Sequence, residues 1–283
     1  MKTTQRIAIT GTDETGKTTV VRLIRDRFHD QPHVVQAFRA PQYHENPDLP
    51  FGRLSAIIDA VSECADREKN LGLKATALFL SMTLYGDVER HVAAAYAPDY
   101  MVTERQCLAD SLTYAKFYLP LLQAALDQTA LEPVLRAGLA PLGADALDHL
   151  ITWLHVFQAR EGHAPVGFWE LPLYMRDLFS TPAETLIGRL QALYHADIPD
   201  RIVLLTVSQD SLTERLTEKL KGSAPRELHE HTQVLAMFQS ALGQCCQLLK
   251  QVKPALIVDV LDTSEQSPAE SRDAVLALVG IPG

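Results

Sequence analysis

The chain has 283 residues, 47% of them hydrophobic and 22% charged, with 14 glycines and 16 prolines. That is long enough to bury a full core, as one domain with an insertion or as two domains, and the composition excludes a disordered, collagen-like or coiled-coil protein. The net charge of −9 argues against a grip on nucleic-acid polymers, which usually need a basic patch, and makes any Lys and Arg gathered near a pocket candidates for small anions.

The first element expected is a strand at Arg6 to Thr10, with no leader segment ahead of it, followed by a helix at Lys17 to His29. Between them runs Gly11-Thr12-Asp13-Glu14-Thr15-Gly16-Lys17-Thr18, which has the spacing G-x-x-x-x-G-K-[ST] of a phosphate-cradling loop. Glycines let the backbone wrap phosphate oxygens, and the helix that follows adds unpaired N–H groups and a favourable dipole. Lys17 then pairs the outer phosphates and the Thr18 hydroxyl ligates Mg²⁺. Asp13 and Glu14 are less expected there, because carboxylates repel a polyphosphate unless they serve something else. For Asp13 that service is a bond to an acceptor hydroxyl, and Glu14 reads equally as a solvated side chain.

Further strands are expected at Val34 to Phe38, Tyr100 to Thr103, Ile202 to Val207 and Leu256 to Val260. Each is apolar at nearly every position, as strands covered on both faces are. Helical periodicity marks Leu54 to Asn70, Lys74 to Ala97, Leu108 to Leu126, Ser211 to Lys221 and Leu228 to Val252. Alternating strands and helices imply an α/β fold: a five-stranded parallel sheet with helices on both faces, the P-loop NTPase arrangement. About a hundred residues separate the third and fourth strands, where one helix would suffice. The excess has helical patterns at Ala144 to Arg160 and Pro182 to His195, joined by a Pro-, Gly- and aromatic-rich link at Gly162 to Tyr174, and no lysine between Lys116 and Lys219. It is expected to be an inserted helical subdomain at 119–198, with 1–118 and 199–283 forming the core.

The third strand ends in Val102-Thr103-Glu104-Arg105. Ligands of open α/β sheets bind at the carboxyl ends of strands. A carboxylate there holds Mg²⁺ or polarises an attacking oxygen, and an adjacent Arg grips phosphate bidentately. A surface salt bridge is the plainer reading of the same pair. The four cysteines, Cys64, Cys107, Cys245 and Cys246, show no C-x-x-C spacing, which argues against a zinc site or disulfide framework. No apolar run reaches the length of about 18 residues that a membrane span needs. A soluble, cytoplasmic protein is expected.

These segments resemble the thymidylate kinase family of nucleoside monophosphate kinases, with related deoxynucleoside kinases also similar. The loop Gly11 to Thr19 has that family's acid at the third position. Phe38-Arg39-Ala40-Pro41-Gln42-Tyr43 is similar to its segment after the second strand. Glu104-Arg105 followed by Asp110-Ser111-Leu112-Thr113-Tyr114-Ala115 resembles its Asp-Arg segment and the next helix, and Leu212-Thr213-Glu214-Arg215-Leu216 the helix leading to its lid. The resemblance covers about 200 residues and omits the insertion. It implies a kinase using ATP and Mg²⁺ on a small nucleotide or nucleoside, with no nucleic-acid polymer and no membrane, and it is compatible with a homodimer. By position it implies that loop residues 11–19 hold ATP, that Asp13 contacts the acceptor sugar, that Arg39 and Arg105 hold the acceptor phosphate, that Glu104 sits near Mg²⁺ with Thr18, and that Phe79 packs on the base. Phe79 reads equally as a core residue of the Leu78-Phe79-Leu80 face.

The chain departs from the family in three ways. A second arginine after the helical run is replaced by Leu84 or Val88, Glu stands where Asp is commoner, and the insertion has no counterpart. The acceptor therefore stays open between a monophosphate such as dTMP and a nucleoside. A regulatory P-loop NTPase is the rival from another class. Against a GTPase, N-K-x-D is absent and the sole D-x-x-G lies inside the loop, at Asp13 to Gly16. Because Glu14 stands where some relatives carry a loop arginine, the transition-state cation is expected in the lid at Leu216 to His231. Arg226 is the choice, with Lys219 or Lys221 as substitutes.

Overall fold

The computed structural model describes residues 3–160, 165–221 and 232–282. Its strands are β1 (Gln5–Gly11), β2 (Val35–Arg39), β3 (Tyr100–Glu104), β4 (Arg201–Thr206) and β5 (Ile257–Asp262). All pair in parallel, in the order β2-β3-β1-β4-β5. The helices are α1 (Lys17–Arg27), α2 (Gly52–Arg67), α3 (Leu71–Met82), α4 (Tyr85–Tyr96), α5 (Cys107–Tyr118), α6 (Gln128–Leu139), α7 (Ala146–Arg160), α8 (Leu171–Phe179), α9 (Ala183–Tyr194), α10 (Gln209–Lys221), α11 (Thr232–Val252) and α12 (Pro268–Val279). Among the described residues no helix is long and apolar enough to cross a membrane, and all four cysteines are buried free thiols.

Two compact units divide the chain. The first comprises Met1–Ala40, Arg90–Thr113 and Asp197–Gly283, the second Pro41–Glu89 and Tyr114–Ala196. In the first, β1 lies at the centre of the sheet, so the winding reverses around it and the ends of its neighbours leave a crevice there. One face packs Ile7, Ile9, Ala37, Val102, Val203 and Leu205 under α1 and α12. The alternate residues Ala8, Phe38, Met101, Ile202 and Leu204 are buried as well, and α11 lies against β4 and β5. The double-sided apolar pattern expected of buried parallel strands therefore holds for four of them. It does not hold for β5, which is an edge strand with Ile257 half-exposed and Val260 64% exposed.

The second unit takes in almost all of 119–198 together with 41–89. Here α2 packs on α3, α6 and α7, and α3 on α8. The single helix expected over Lys74 to Ala97 is broken into α3 and α4 at Thr83. The Thr83 hydroxyl bonds back to the Leu80 carbonyl (2.6 Å) and accepts the Trp153 indole N–H (3.1 Å). Just beyond, the backbone of Gly86 lies so close to the carbonyls of Tyr194 and His195 that a Cβ would clash. The helix expected over Leu108 to Leu126 stops at Tyr118, because Pro120 cannot continue it. Of the expected aromatic-rich link at Gly162 to Tyr174, 162–164 lie outside the described residues and Leu171 opens α8.

Candidate active site

The loop after β1 is shaped by backbone chemistry. Gly11 is obligatory: a Cβ there would meet the Leu205 carbonyl oxygen and Thr15 Oγ1, each at 2.7 Å. The Thr15 hydroxyl then donates to the Thr12 carbonyl (2.8 Å), closing a tight turn. Glu14 (φ 65°) and Gly16 (φ 85°) are both left-handed, a region glycine enters freely and glutamate does not. Gly16 caps α1 without any side-chain bond to its first N–H groups. Those donors and the positive end of the helix dipole are what an anion uses.

Lys17 is 4% exposed and curls back over the loop, its Nζ on the Thr12 carbonyl (3.0 Å) and on Asp13 Oδ1 (3.1 Å). Arg105 donates from Nη2 to the same Asp13 oxygen (3.2 Å) and from Nη1 to Asp110 Oδ2 (3.2 Å). Two cations thus compensate Asp13, which resolves the puzzle of an acid inside a phosphate loop. At the neighbouring strand ends, Glu104, 2% exposed, accepts the Thr18 hydroxyl on Oε1 (2.7 Å) and Arg39 Nε on Oε2 (2.8 Å). The β-ladder sets these positions, since Arg105 N–H bonds the Ile9 carbonyl (2.8 Å) and Ala40 N–H the Glu104 carbonyl (3.1 Å). Three buried or half-buried cations, Lys17, Arg39 and Arg105, therefore meet three carboxylates, Asp13, Glu104 and Asp110. Burial pushes the Asp110 carboxyl above its ordinary pKa, against the downward pull of Arg105.

The oxygens of Thr18 and Glu104 form a hard donor pair that fits Mg²⁺. Among the described residues no group of three His, Cys, Asp or Glu side chains could hold a metal unaided. The pair suits an ion whose remaining ligands are phosphate and water oxygens.

Of the other residues singled out in the sequence, Thr12 and Thr15 line the loop and are buried, while Thr19 is exposed on the first turn of α1. Phe79 is 4% exposed within the second unit, its ring centroid 6.0 Å from that of Tyr174 and 6.1 Å from that of Tyr194, the packing of a core residue. Arg226 lies outside the described residues, as do Gly222 and Pro225. Two residues were not foreseen. Arg215 of α10 donates to the Glu14 carbonyl (2.8 Å) and to the Thr263 carbonyl, and the Thr263 hydroxyl lies 3.1 Å from the Thr15 carbonyl. These bonds fasten the loop after β1 from behind. Asp110 is the other, and only its neighbourhood to Glu104-Arg105 in sequence hinted at it.

No family model matches the chain, and no curated protein is similar to it at a significant level. Among solved structures, a thymidylate kinase from Candida albicans is similar over 98% of this chain and 92% of its own, with 14% identity and a TM-score of 0.41. A deoxyadenosine kinase from M. mycoides with bound dATP is similar over 98% of this chain and 99% of its own, again at 14% identity, with a TM-score of 0.44. Likenesses at that level assign no activity, so the functional reading rests on the site itself.

Proposed function

We propose that this chain is a Mg²⁺-dependent kinase that passes the γ-phosphoryl group of ATP to a small nucleotide, a nucleoside monophosphate of the dTMP type. The observation that carries the reading is the joint arrangement at the end of β1. The loop Gly11 to Thr18 has its lysine folded over it, and the Thr18 hydroxyl bonds Glu104 at the adjacent strand end. Phosphoryl transfer asks a protein mainly for positioning and charge neutralisation, and those are the groups gathered here.

In this reading the loop N–H groups and Lys17 hold the outer phosphates of ATP. Thr18 and Glu104 hold Mg²⁺, which when bound neutralises phosphate charge. Arg39 and Arg105 hold the acceptor, and Asp13 accepts a hydrogen from its sugar hydroxyl. Arg226 supplies the lid cation. Phe79, enclosed by tyrosines, is given no part.

One observation favours a second reading, a nucleoside acceptor. Arg39 and Arg105 are each already matched by carboxylates, so an acceptor without a phosphate would leave the charge balance undisturbed. A coupled ADP-release screen across nucleosides and nucleoside monophosphates tests both. Turnover with a monophosphate supports the first reading and turnover with nucleosides alone supports the second. Release of ADP that no acceptor stimulates would overturn kinase function.

A further inference from the structure

Asp110 is 1% exposed. Its Oδ2 takes one bond from Arg105, and its Oδ1 has no hydrogen-bond partner among the described residues. Leaving a carboxylate oxygen dry and unpaired is costly. A carboxylate in the first turn of α5 could serve as a helix cap, but that task is already done. Gln106 Oε1 accepts the N–H groups of Leu108 (2.8 Å) and Ala109 (2.9 Å). Part of its task is charge, because Asp13, on the other Nη of Arg105, also serves Lys17. What Asp110 adds beyond charge is direction. Arg105 sits in the left-handed region (φ 68°), which non-glycine residues avoid, and its guanidinium is held at both terminal nitrogens by carboxylates from two different elements, the loop after β1 and α5. A two-point clamp fixes a planar guanidinium in a way that a single ion pair does not. The other charged or titratable groups facing Asp110 are Lys17 and Glu104 from the loop side and Cys246 from α11.

We propose that Asp110 is a positioning residue that holds the Arg105 guanidinium in register with the acceptor. The functional part of this inference rests on the kinase reading. Its structural part does not, and the test separates the two. Asp110→Ala removes the clamp, whereas Asp110→Asn keeps an oxygen that can accept from Nη1. With the full chain and the acceptor found in the screen, Asp110→Ala should raise acceptor KM about ten-fold or more, the cost of a lost charge-assisted bond. ATP KM should stay within about two-fold, and Asp110→Asn should recover most of the loss. Equal rises in the two KM values, or an Asn variant no better than the Ala variant, would overturn the proposal. In parallel, ¹⁵N spectra of the Arg105 side chain should show Nη–H signals separated by hindered rotation in the wild type and merged in Asp110→Ala. Separation unchanged in Asp110→Ala refutes the clamp whatever the protein catalyses. If the wild type turns over no acceptor but the signals merge, the kinase reading fails and the clamp stands.

Discussion

Lys17 and Arg105 share Asp13 but should fail differently when removed. On the proposed function, Lys17→Ala takes a point charge from the outer phosphates. Acceptor-dependent ADP release should fall to background while the circular dichroism spectrum stays that of the wild type, and persistence of release near the wild-type rate would refute the loop's role. Arg105→Ala should instead raise acceptor KM about ten-fold or more, from a charge-assisted bond worth about 1.5–3 kcal/mol. A larger effect on ATP KM would remove Arg105 from the acceptor. Asp110 carries a stability signature too. Its folded pKa is raised by burial, so the folded state holds the proton more tightly than the unfolded chain. That contribution is present below the unfolded value near about 4 and is lost as pH rises through the folded value. Asn does not titrate, so the Tm of Asp110→Asn should gain on the wild type as pH climbs from about 4 towards neutrality. A constant difference across that range would show that Asp110 keeps an ordinary pKa. The contrast between Lys17 and Asp110 shows what a sequence can disclose at this scale. Lys17 belongs to a spacing rule whose geometry is local, eight residues of one turn. The meaning of Asp110 depends on its burial and on Arg105 reaching it, and no local pattern encodes that.

The loop after β1 keeps its shape only because other elements hold it. Arg215 spans from α10 to the Glu14 and Thr263 carbonyls, and Thr263 reaches the Thr15 carbonyl from the end of β5. Arg215→Ala should therefore loosen the loop and raise ATP KM by about ten-fold with little change in acceptor KM, whereas unchanged ATP KM would mean the loop keeps its shape alone. All five strands were legible in sequence as short apolar runs, rich in β-branched residues, that alternate with helical patterns, although β5 proves to be an exposed edge strand. Two of the helices missed, α12 and α6, carry signals that are caps more than periodicity. The helix α12 opens on Ser267-Pro268 with Glu270 three residues after the cap, and both bonds of that capping box form, Glu270 N–H to Ser267 Oγ (3.3 Å) and Ser267 N–H to Glu270 Oε2 (2.8 Å). In α6, Asp127 caps a run with Leu131, Leu135 and Leu139 buried, and the interior Pro133 masks the pattern. Ser267→Ala should cost about 1 kcal/mol and lower Tm by about 2–4 °C. No shift in calorimetry would show that the box is dispensable.

At the scale of the whole chain, the sequence placed the surplus at 119–198 from its length and its lack of lysine. What no composition shift could disclose is which earlier residues that surplus packs on, since such contacts join positions about 70 to 120 apart. The Trp153 indole bonds Thr83, Phe79 lies between the rings of Tyr174 and Tyr194, Arg160 pairs with Asp87 (2.8 Å), and Phe51 meets Trp153 with ring centroids 5.2 Å apart. Each of these links 41–89 to 114–196 within the second unit. Excising 119–198 behind a short linker should therefore do more than trim a decoration. Losing the packing around one buried aromatic costs about 3–5 kcal/mol, and the excision strips Phe79 of both its ring neighbours and α2 of α6 and α7. Against a total stability of about 5–15 kcal/mol for a folded domain, two or three such losses are enough to unfold α2 and α3. The deletion variant should be insoluble or melt without a cooperative transition, while the full chain should resist limited proteolysis between 119 and 198. A soluble deletion variant that melts cooperatively and still binds ATP would show instead that 41–89 folds without the surplus and that the sheet unit is complete without it.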